Sequence, residues 1–367
     1  MKKTLFIIIS IFIIFFMTIF VFSDKKEFSE NENRYLAVMP KLTLENITSG
    51  KFVSELESFI TDAFPLRDFF VGIKTKTELL FGKKDINDIY LGNDSFMITK
   101  YNKIDTEKIV KTLNDFKENN IDKNISLMLV PSSISIYDDK LPKYAITDSE
   151  TDVIDDIYRK VPMNNIDVYN TLKSLKEDNQ VFYKTDHHWT TFGVYRAYIE
   201  YCKKNMITPI SINKYDIEKI TDSFYGTLYS KTNNYDTEPD AIYLYKTDTN
   251  YDVFYVNSKK HSDSLYNFDY LEKKDKYSVF LDNNHPLIEI ENKDIDSIDE
   301  LLVIKDSYGN SFVPFVAENY KKVHVVDLRY NLNSMTEYLK SHPNIKNVLI
   351  LYNINTINDE SSIYYLR

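Results

Sequence analysis

Two short segments, far apart in the chain, contain the residue types of a serine nucleophile and its partners. The first is Asp186–Trp189, which reads Asp-His-His-Trp, and the second is Lys305–Tyr308, which reads Lys-Asp-Ser-Tyr. A serine hydroxyl becomes a nucleophile when a histidine removes its proton and an acid holds that histidine in place. The two segments together therefore predict ester chemistry with Ser307 as the nucleophile.

The segment around Ser307 has the pattern of a strand followed by a helix. Leu301–Ile304 is a short apolar run typical of a buried strand, and Ser311–Ala317 can continue as a helix. Ser307 is therefore predicted at a strand-to-helix turn, where the free amides of a helix N-terminus can stabilise an oxyanion. The alternative is that Asp306 or Ser307 only caps this helix, since both residue types are favoured N-caps.

The histidine segment is also predicted at the end of a strand. Gln180–Lys184 has the pattern of a strand, and Thr190–Asn205 has that of a helix. In this position Asp186 can fix the ring of His188 in the tautomer that takes the proton of Ser307.

Two other interpretations of this segment stay open. Asp186, His187 and His188 could bind a metal ion, or a histidine could donate to a backbone carbonyl while Trp189 packs. Adjacent histidines on an extended segment point in different directions, and no second cluster completes a ligand set, so no metal is predicted. The packing interpretation is preferred for His187, and the general-base interpretation for His188.

Helical and strand patterns alternate from about residue 105, which predicts an α/β fold with a parallel, largely buried sheet flanked by helices. The tyrosine- and aspartate-rich residues 215–295 alternate in polarity and predict an antiparallel insertion in the same domain. The strand patterns are Ile125–Pro131, Leu301–Ile304, Lys322–Asp327 and Asn347–Tyr352, and the helical patterns are Thr106–Asn119, Ser149–Lys160 and Thr190–Asn205.

The N-terminus predicts export. Leu5–Phe22 is an uncharged, almost wholly apolar run of the length that crosses a hydrocarbon core, and two lysines precede it. The positive-inside bias then leaves the following chain outside the cytoplasm. The alternative is a signal peptide cleaved near residue 23. The expected organisation is an anchor or signal peptide over 1–23, a stalk with lead-in helices over 24–85, and the α/β domain over 86–367.

Composition excludes some classes of protein. A hydrophobic content of 43% in 367 residues supports a folded core, and a net charge of -10 argues against nucleic acid as a partner. Cys202 is the single cysteine, so no intramolecular disulfide can form, and we expect it to be buried.

Five motifs together resemble the DHHW protein family of bacterial cell surfaces: Phe28–Arg34, Asp62–Arg67, Asp186–Trp189, Gly226–Lys231 and Ile304–Phe315. That family in turn resembles the SGNH hydrolase-like domain of the alginate O-acetylation proteins, which has a flavodoxin-like α/β fold. The resemblance implies that Asp186, His188 and Ser307 form a catalytic triad.

The resemblance also implies an oxyanion donor. Phe280–Pro286 is similar to a stretch that often reads Gly-Gly-Asn in the DHHW family, so the amide of Asn284 is expected to act beside the backbone amide of Ser307. Asp282 and Asn283 replace the two glycines here. In the Ser307 motif itself, Lys305 stands where the relatives usually have a small residue.

Three further residues complete the expected substrate-binding set, namely Arg329, Trp189 and Gly226. Arg329 follows the strand Lys322–Asp327 and could bind an anionic or polar substrate group, or else form an ordinary surface ion pair.

The resulting hypothesis is an extracytoplasmic O-acyltransferase or esterase that acts on acetyl groups of a cell-surface polysaccharide without metal or organic cofactor. A transferase would need a membrane-bound O-acyltransferase as its acyl donor, as the resemblance implies. The alternative is a noncatalytic glycan-binding or envelope-assembly protein that retains the fold, with Tyr225, Tyr229 and Trp189 as its binding surface.

Overall fold

The computed structural model describes residues 2–29, 31–32, 34–234, 236–359 and 361–367. Glu30 and Asn33, which belong to the Phe28–Arg34 motif, lie outside the described residues. The helices are α1 Lys2–Phe22, α2 Leu44–Thr48, α3 Lys51–Asp62, α4 Arg67–Leu80, α5 Glu107–Asn119, α6 Ser133–Ile136, α7 Glu150–Lys160, α8 Tyr169–Leu175, α9 Thr191–Lys204, α10 Thr227–Thr232, α11 Tyr308–Val316, α12 Met335–Ser341 and α13 Ile354–Asp359.

The strands are short except in the central sheet. They are β1 Phe28–Ser29, β2 Arg34–Tyr35, β3 Asp85–Ile86, β4 Ile89–Leu91, β5 Met97–Thr99, β6 Asn124–Val130, β7 Asn164–Asn165, β8 Asp216–Phe224, β9 Asp240–Lys246, β10 Tyr251–Tyr255, β11 Lys260–Ser262, β12 Leu287–Asn292, β13 Glu300–Lys305, β14 Lys322–Val326 and β15 Ile345–Asn353.

The chain folds as two compact units. The smaller unit comprises residues 1–86 and 229–237, and the larger unit comprises residues 87–228 and 238–367. In the smaller unit, α1 is long and apolar enough to cross a membrane, although a signal sequence would have the same properties. The helices α3 and α4 follow it, in the region where amphipathic helices were predicted.

A mixed sheet organises the larger unit. Among the described residues, eight strands pair in the order β11-β10-β12-β14-β13-β15-β6-β7. The pairs from β14 through β7 are parallel, whereas β12, β10 and β11 add to one edge in antiparallel register. The predicted parallel sheet with an antiparallel addition is therefore confirmed, and β8 pairs with β9 in a separate antiparallel sheet.

The central strands follow from their composition. Leu301, Leu302, Val303 and Ile304 are all fully buried, as expected for a parallel strand covered by helices on both faces. The helix α11, which follows β13, is itself buried along its whole length. Ser307 therefore lies between two buried elements, which fix its position. Cys202 is buried as predicted, and burial raises the pKa of its thiol to about 12.

The strand predicted over Gln180–Lys184 is wrong. Only an isolated bridge between Phe182 and Trp189 forms there. The Tyr183 amide donates to the His188 carbonyl at 3.1 Å, and the amides of Lys184 and Thr185 donate to the Asp240 carboxylate. The segment forms a tight loop because its backbone groups pair with one another and with distant residues such as Asp240, rather than with a strand of the eight-stranded sheet.

Candidate active site

Asp186, His188 and Ser307 form one continuous chain of hydrogen bonds. The Nδ1 of His188 lies 2.5 Å from Oδ1 of Asp186, and its Nε2 lies 2.8 Å from Oγ of Ser307. An ionised carboxylate can only accept, so Nδ1 carries the proton and Nε2 is left to accept from the serine hydroxyl. This is the tautomer that a general base acting on Ser307 requires.

Asp186 is held as a buried anion. Burial on its own would raise the pKa of this carboxyl, but the neighbouring His187 and His188 and its hydrogen bonds outweigh burial and hold the pKa far below its usual range. Its Oδ1 also accepts from the His188 amide at 3.0 Å, and its Oδ2 accepts from the Thr227 amide at 2.8 Å. Asp186 therefore stays ionised and is fixed in orientation from both sides.

The His188 ring is fixed by an aromatic neighbour. It stacks on Tyr277, with ring centroids 3.7 Å apart and the rings within 10° of parallel. The Tyr277 hydroxyl donates to the Ser307 carbonyl at 3.1 Å. One side chain thus contacts both the His188 ring and the Ser307 backbone. No sequence pattern singles out Tyr277, which is one of 29 tyrosines.

The side chain that caps α11 belongs to Asp306 and not to Ser307. Ser307 is the N-cap residue of α11, yet its side chain makes no capping hydrogen bond. The carboxylate of Asp306 does this instead, with Oδ1 accepting from the Tyr308 amide at 2.9 Å and Oδ2 from the Asn353 amide at 2.8 Å. The Ser307 hydroxyl is left to His188.

A cavity of about 300 Å³ opens onto these residues. Its lining is mostly polar, with hydroxyl, amide and charged groups that suit a hydroxyl-rich ligand. The residues that line it are Asp186, His187, His188, Thr227, Asp275, Tyr277, Ser278, Asn283, Asn284, Ser307, Asn310, Arg329 and Thr356.

Asn284 lies in this cavity with its amide oriented. Its Oδ1 accepts from Nζ of Lys305 at 3.2 Å and from Nδ2 of Asn310 at 3.1 Å. With the oxygen occupied, the amide nitrogen offers two donors, one of which reaches Asn283 at 3.1 Å. The other is available to a ligand.

The replaced glycine positions before Asn284 keep a glycine-like backbone. Asp282 has a φ of 55° and Asn283 a φ of 75°, both in the left-handed region. Aspartate and asparagine adopt this region more readily than other non-glycine residues. The loop therefore keeps its course without the two glycines.

The burial of Lys305 explains why a lysine can stand where the relatives usually have a small residue. Its side chain is fully buried, and Nζ lies 3.3 Å from Oδ2 of Asp327. Burial lowers the pKa of Lys305, while Asp327 opposes this shift. Gly309 makes room for the lysine, because a Cβ at this position would lie 2.5 Å from the Lys305 Cβ. Lys305 therefore acts inside the protein as the support of Asn284.

Arg329 lines the cavity and also forms an ion pair. Its Nε and one terminal nitrogen hold both carboxylate oxygens of Asp327, at 2.9 and 2.6 Å. The ion pair is made with a fully buried carboxylate rather than at the surface, and substrate binding by Arg329 stays a prediction. Asp327 bridges Arg329 to the buried Lys305.

Two residues of the expected substrate-binding set have structural positions instead. Trp189 is fully buried, and its indole nitrogen donates to the Tyr308 carbonyl at 3.1 Å, so the predicted substrate contact is not made in this structure. Gly226 is buried against Asp186, where a Cβ would lie 2.2 Å from the Asp186 Cβ. Gly226 permits the close approach that lets Thr227 hydrogen-bond Asp186.

The metal alternative fits the same atoms less well. Ligand atoms of Asp186, His187 and His188 lie within 4.8 Å of one another. However, Asp186 and His188 point their atoms at each other, and Nδ1 of His187 is 2.7 Å from the Thr227 hydroxyl. The arrangement favours proton transfer over metal binding.

The chain is similar to several solved structures. A DHHW family protein from Eubacterium siraeum is 25% identical, with 76% of this chain and 93% of that chain covered and a TM-score of 0.66. Bacillus cereus PatB1, solved with a sulfonyl adduct, is 19% identical, with 76% and 98% covered and a TM-score of 0.63. The O-acetyltransferase domain of Pseudomonas putida AlgJ is 13% identical, with 74% and 92% covered and a TM-score of 0.46.

The SGNH hydrolase-like α/β fold predicted from the resemblance is thereby confirmed. No curated protein matches the chain. The sequence model described as DHHW protein matches residues 84–326, which is more than half of the chain and includes the hydrogen-bonded Asp186, His188 and Ser307. The chain therefore belongs to the DHHW family.

Proposed function

We propose that this protein is an extracytoplasmic serine O-acyltransferase or esterase that acts on acetyl groups of a cell-surface polysaccharide. The observation that carries the proposal is the hydrogen-bond chain from Asp186 through His188 to Ser307, at 2.5 and 2.8 Å. These three residues line a polar cavity, and Ser307 lies at the start of a buried helix. These are the parts of a two-step acyl transfer.

In the first step, Ser307 Oγ attacks the acyl carbon while its proton moves to Nε2 of His188. Asp186 stabilises the imidazolium that forms. The carbonyl oxygen becomes an oxyanion, which accepts hydrogen bonds from the Asn284 side-chain amide and the Ser307 backbone amide. His188 then returns the proton to the leaving oxygen, and the acyl group stays on Ser307.

In the second step, His188 takes a proton from an incoming hydroxyl, which attacks the acyl-serine ester. If that hydroxyl belongs to a sugar, the reaction is transfer, and if it belongs to water, the reaction is hydrolysis. Both regenerate Ser307 through the same tetrahedral geometry. The amide and hydroxyl groups around the cavity, including Asn283, Asn310 and Thr227, support a sugar acceptor because they can pair with its hydroxyls.

The location follows from α1. We infer that α1 is kept as a membrane anchor, with Lys2 and Lys3 on the cytoplasmic side and the rest of the chain outside. The acyl donor would then have to be supplied at the membrane, which fits a membrane-bound O-acyltransferase partner.

The test is release of a chromogenic phenol from its acetyl ester by the full chain in detergent. Ser307→Ala and His188→Ala are each expected to remove turnover, whereas Ser223→Ala, at an exposed serine, is expected to retain it. A sulfonyl fluoride is a second probe, because PatB1 carries a sulfonyl adduct and a sulfonyl group bonds to a nucleophile. Peptide mass mapping should find the added group on Ser307 and not on the Ser307→Ala variant.

The outcomes separate the candidate functions. Turnover and labelling that both depend on Ser307 support the enzyme. Labelling with little phenol release supports a transferase, and adding candidate polysaccharides should then give acetylated glycan. Neither turnover nor labelling in a folded protein would move the assignment to the noncatalytic glycan-binding alternative.

A further inference from the structure

Two of the five motifs lie outside the active site, in the smaller unit. Their charged residues form a clamp around the turn between α3 and α4. The guanidinium of Arg34 holds both carboxylate oxygens of Asp62, at 2.6 and 2.9 Å, and its Nε contacts Glu32 at 2.7 Å. Arg67 reaches the other oxygen of Glu32 at 2.7 Å. The clamp pairs the two arginines with Glu32 and Asp62, and Arg67 also lies 3.4 Å from a third carboxylate, that of Asp68 in the first turn of α4.

The apolar side chains of the same turn remain exposed. Phe64, Leu66, Phe69, Phe70 and Ile73 are between 37% and 61% exposed. Five large apolar residues within ten positions form a patch of the kind that soluble surfaces rarely present. We call these five residues the turn patch.

The neighbour of the turn patch is the apolar helix α1. The Phe16 ring stacks on Phe64 at 5.5 Å, within 10° of parallel, and lies 5.9 Å from Phe70. Phe20, one turn further along α1, contacts Phe59 of α3 at 6.1 Å. The end of α3 and the start of α4 therefore lie alongside the apolar length of α1, not beyond its end.

The contact with Phe16 fixes how deep the turn patch would lie in a membrane that α1 spans. Phe16 precedes the last residue of α1 by six positions, which at the α-helical rise is about 9 Å along the axis. If α1 spans a bilayer up to Phe22, the rings that touch Phe16 lie about 9 Å inside the hydrocarbon boundary. That matches the depth of about 5 to 10 Å at which interfacial segments bury their apolar faces.

We propose that the turn between α3 and α4 is a second membrane-contacting element, whose turn patch inserts among the lipid acyl chains of the outer leaflet beside α1. The proposal rests on the retained anchor of the proposed function. The clamp makes insertion feasible, because paired charges cost far less to bring near hydrocarbon than isolated ones. Arginines and carboxylates that neutralise one another then lie at the level of the headgroups.

The experiment places a tryptophan at either end of α4 in the full chain, reconstituted in phosphatidylcholine vesicles. Phe69→Trp tests the turn patch, and Phe81→Trp is the matched control, since Phe81 is also an exposed phenylalanine but follows the last residue of α4. The native Trp189 is fully buried and provides the common background. The quencher is lipid brominated on its acyl chains.

Quenching at position 69 is expected to exceed that at position 81 by roughly threefold or more, because only the turn enters the leaflet. Equal quenching at both positions, or quenching at neither, would overturn the proposal. So would an intact mass showing that the first residues have been removed. If a dimer forms and shields position 69 from lipid, the patch belongs to a second copy of the chain.

Esterase turnover measured on the same vesicles separates this proposal from the proposed function. Quenching at position 69 without turnover would support the membrane contact and contradict the proposed esterase or transferase function. Turnover without quenching would support the enzymatic function and contradict the membrane contact.

Discussion

Among its described residues, the larger unit contains two clusters of three histidines and carboxylates, and they differ in what lies beside them. One is Asp186, His187 and His188, and the other is Glu289, His324 and His342, each with ligand atoms within 4.8 Å of one another. In the first, a ring nitrogen of His188 faces the Ser307 hydroxyl at the wall of a cavity. In the second, the ring of His324 is fully buried.

Both ring nitrogens of His324 have hydrogen-bond partners. The Tyr338 hydroxyl lies 2.8 Å from Nδ1, and the Glu300 carboxylate lies 3.1 Å from Nε2. Glu289 is already paired with Lys322, at 2.5 Å, so a cation is in place there. Burial lowers the pKa of His324 to about 4. Similar residue types thus face a serine hydroxyl and a cavity in the first cluster, whereas in the second the ring nitrogens of His324 are paired inside the protein.

The largest expected effect separates the two histidines by activity. His188→Ala should lower ester turnover by roughly 10⁴-fold, because the base and its tautomer are lost together. His324→Gln should leave turnover within a few-fold of the natural protein. Its cost should instead be a lower free energy of unfolding, by roughly 1 to 3 kcal/mol, from lost buried hydrogen bonds. Turnover and denaturant melts of both variants check this contrast.

If His324→Gln lost activity with its melting curve unchanged, the second cluster would have a part in the chemistry and the contrast would fail.

The next effect concerns the support of the oxyanion donor. Lys305→Met keeps the length of the buried side chain but removes the ammonium that holds Asn284. We expect kcat to fall roughly 10²-fold with KM little changed, as for loss of an oxyanion-hole donor. Asp327 keeps its two contacts with Arg329, so the fold should survive. Asn284→Ala is the matched variant.

If Lys305 acts through Asn284, the double variant should be no slower than Asn284→Ala alone. Additive losses of rate would show that Lys305 acts by another route.

A third prediction concerns the space beside Asp186. Gly226→Ala adds a methyl group where the Asp186 side chain now lies, and the carboxylate must move. A displacement of about 1 Å in a catalytic group can cost roughly 10²-fold in rate, so kcat should fall by about that factor. Sulfonyl labelling of Ser307 should slow in parallel. Gly82→Ala, where a Cβ has open space but φ is 88°, should cost stability through backbone strain while leaving kcat unchanged, and is the control for glycine replacement away from Asp186.

The smallest effect is in the pH dependence of stability. The folded-state pKa of His324 is about 4, below its ordinary value of 6.5, so the unfolded chain binds an additional proton between these pH values. Stability contributed by neutral His324 is complete above pH 6.5 and is lost as the pH falls toward 4. Between pH 7 and 5 the loss should be roughly 2 kcal/mol, and His324→Gln should lack it. Denaturant melts at both pH values, for both proteins, measure the difference.

The sequence predicted those parts of the fold that depend on local pattern. The strands β13, β14 and β15 are rich in apolar residues, and the structure places each within two residues of its predicted bounds. The predicted starts of α5, α7 and α9 lie one residue early, at Thr106, Ser149 and Thr190, because these are the N-cap residues.

The site was predictable only where residue type indicates chemistry. Asp186, His188 and Ser307 are recognisable because few residue types form a nucleophile with its base. Tyr277 and Thr227 act through three-dimensional contacts that no spacing in the chain reveals. Trp189 shares the motif of His188 but packs in the core, since the motif alone does not say which side chain faces the cavity.

The placement of Asp186 and His188 two residues apart in one tight loop divides the protein into a part that must stay constant and a part that can vary. The loop carries both Asp186 and His188, so a single insertion or deletion between them would separate the carboxylate from the ring. Between this loop and Ser307 lies the stretch that supplies Tyr277, Asn283 and Asn284 to the other wall of the cavity. That stretch also carries Thr227 and Tyr277, which contact Asp186 and His188, so only changes that spare these two residues can alter the cavity wall without disturbing the carboxylate and the ring.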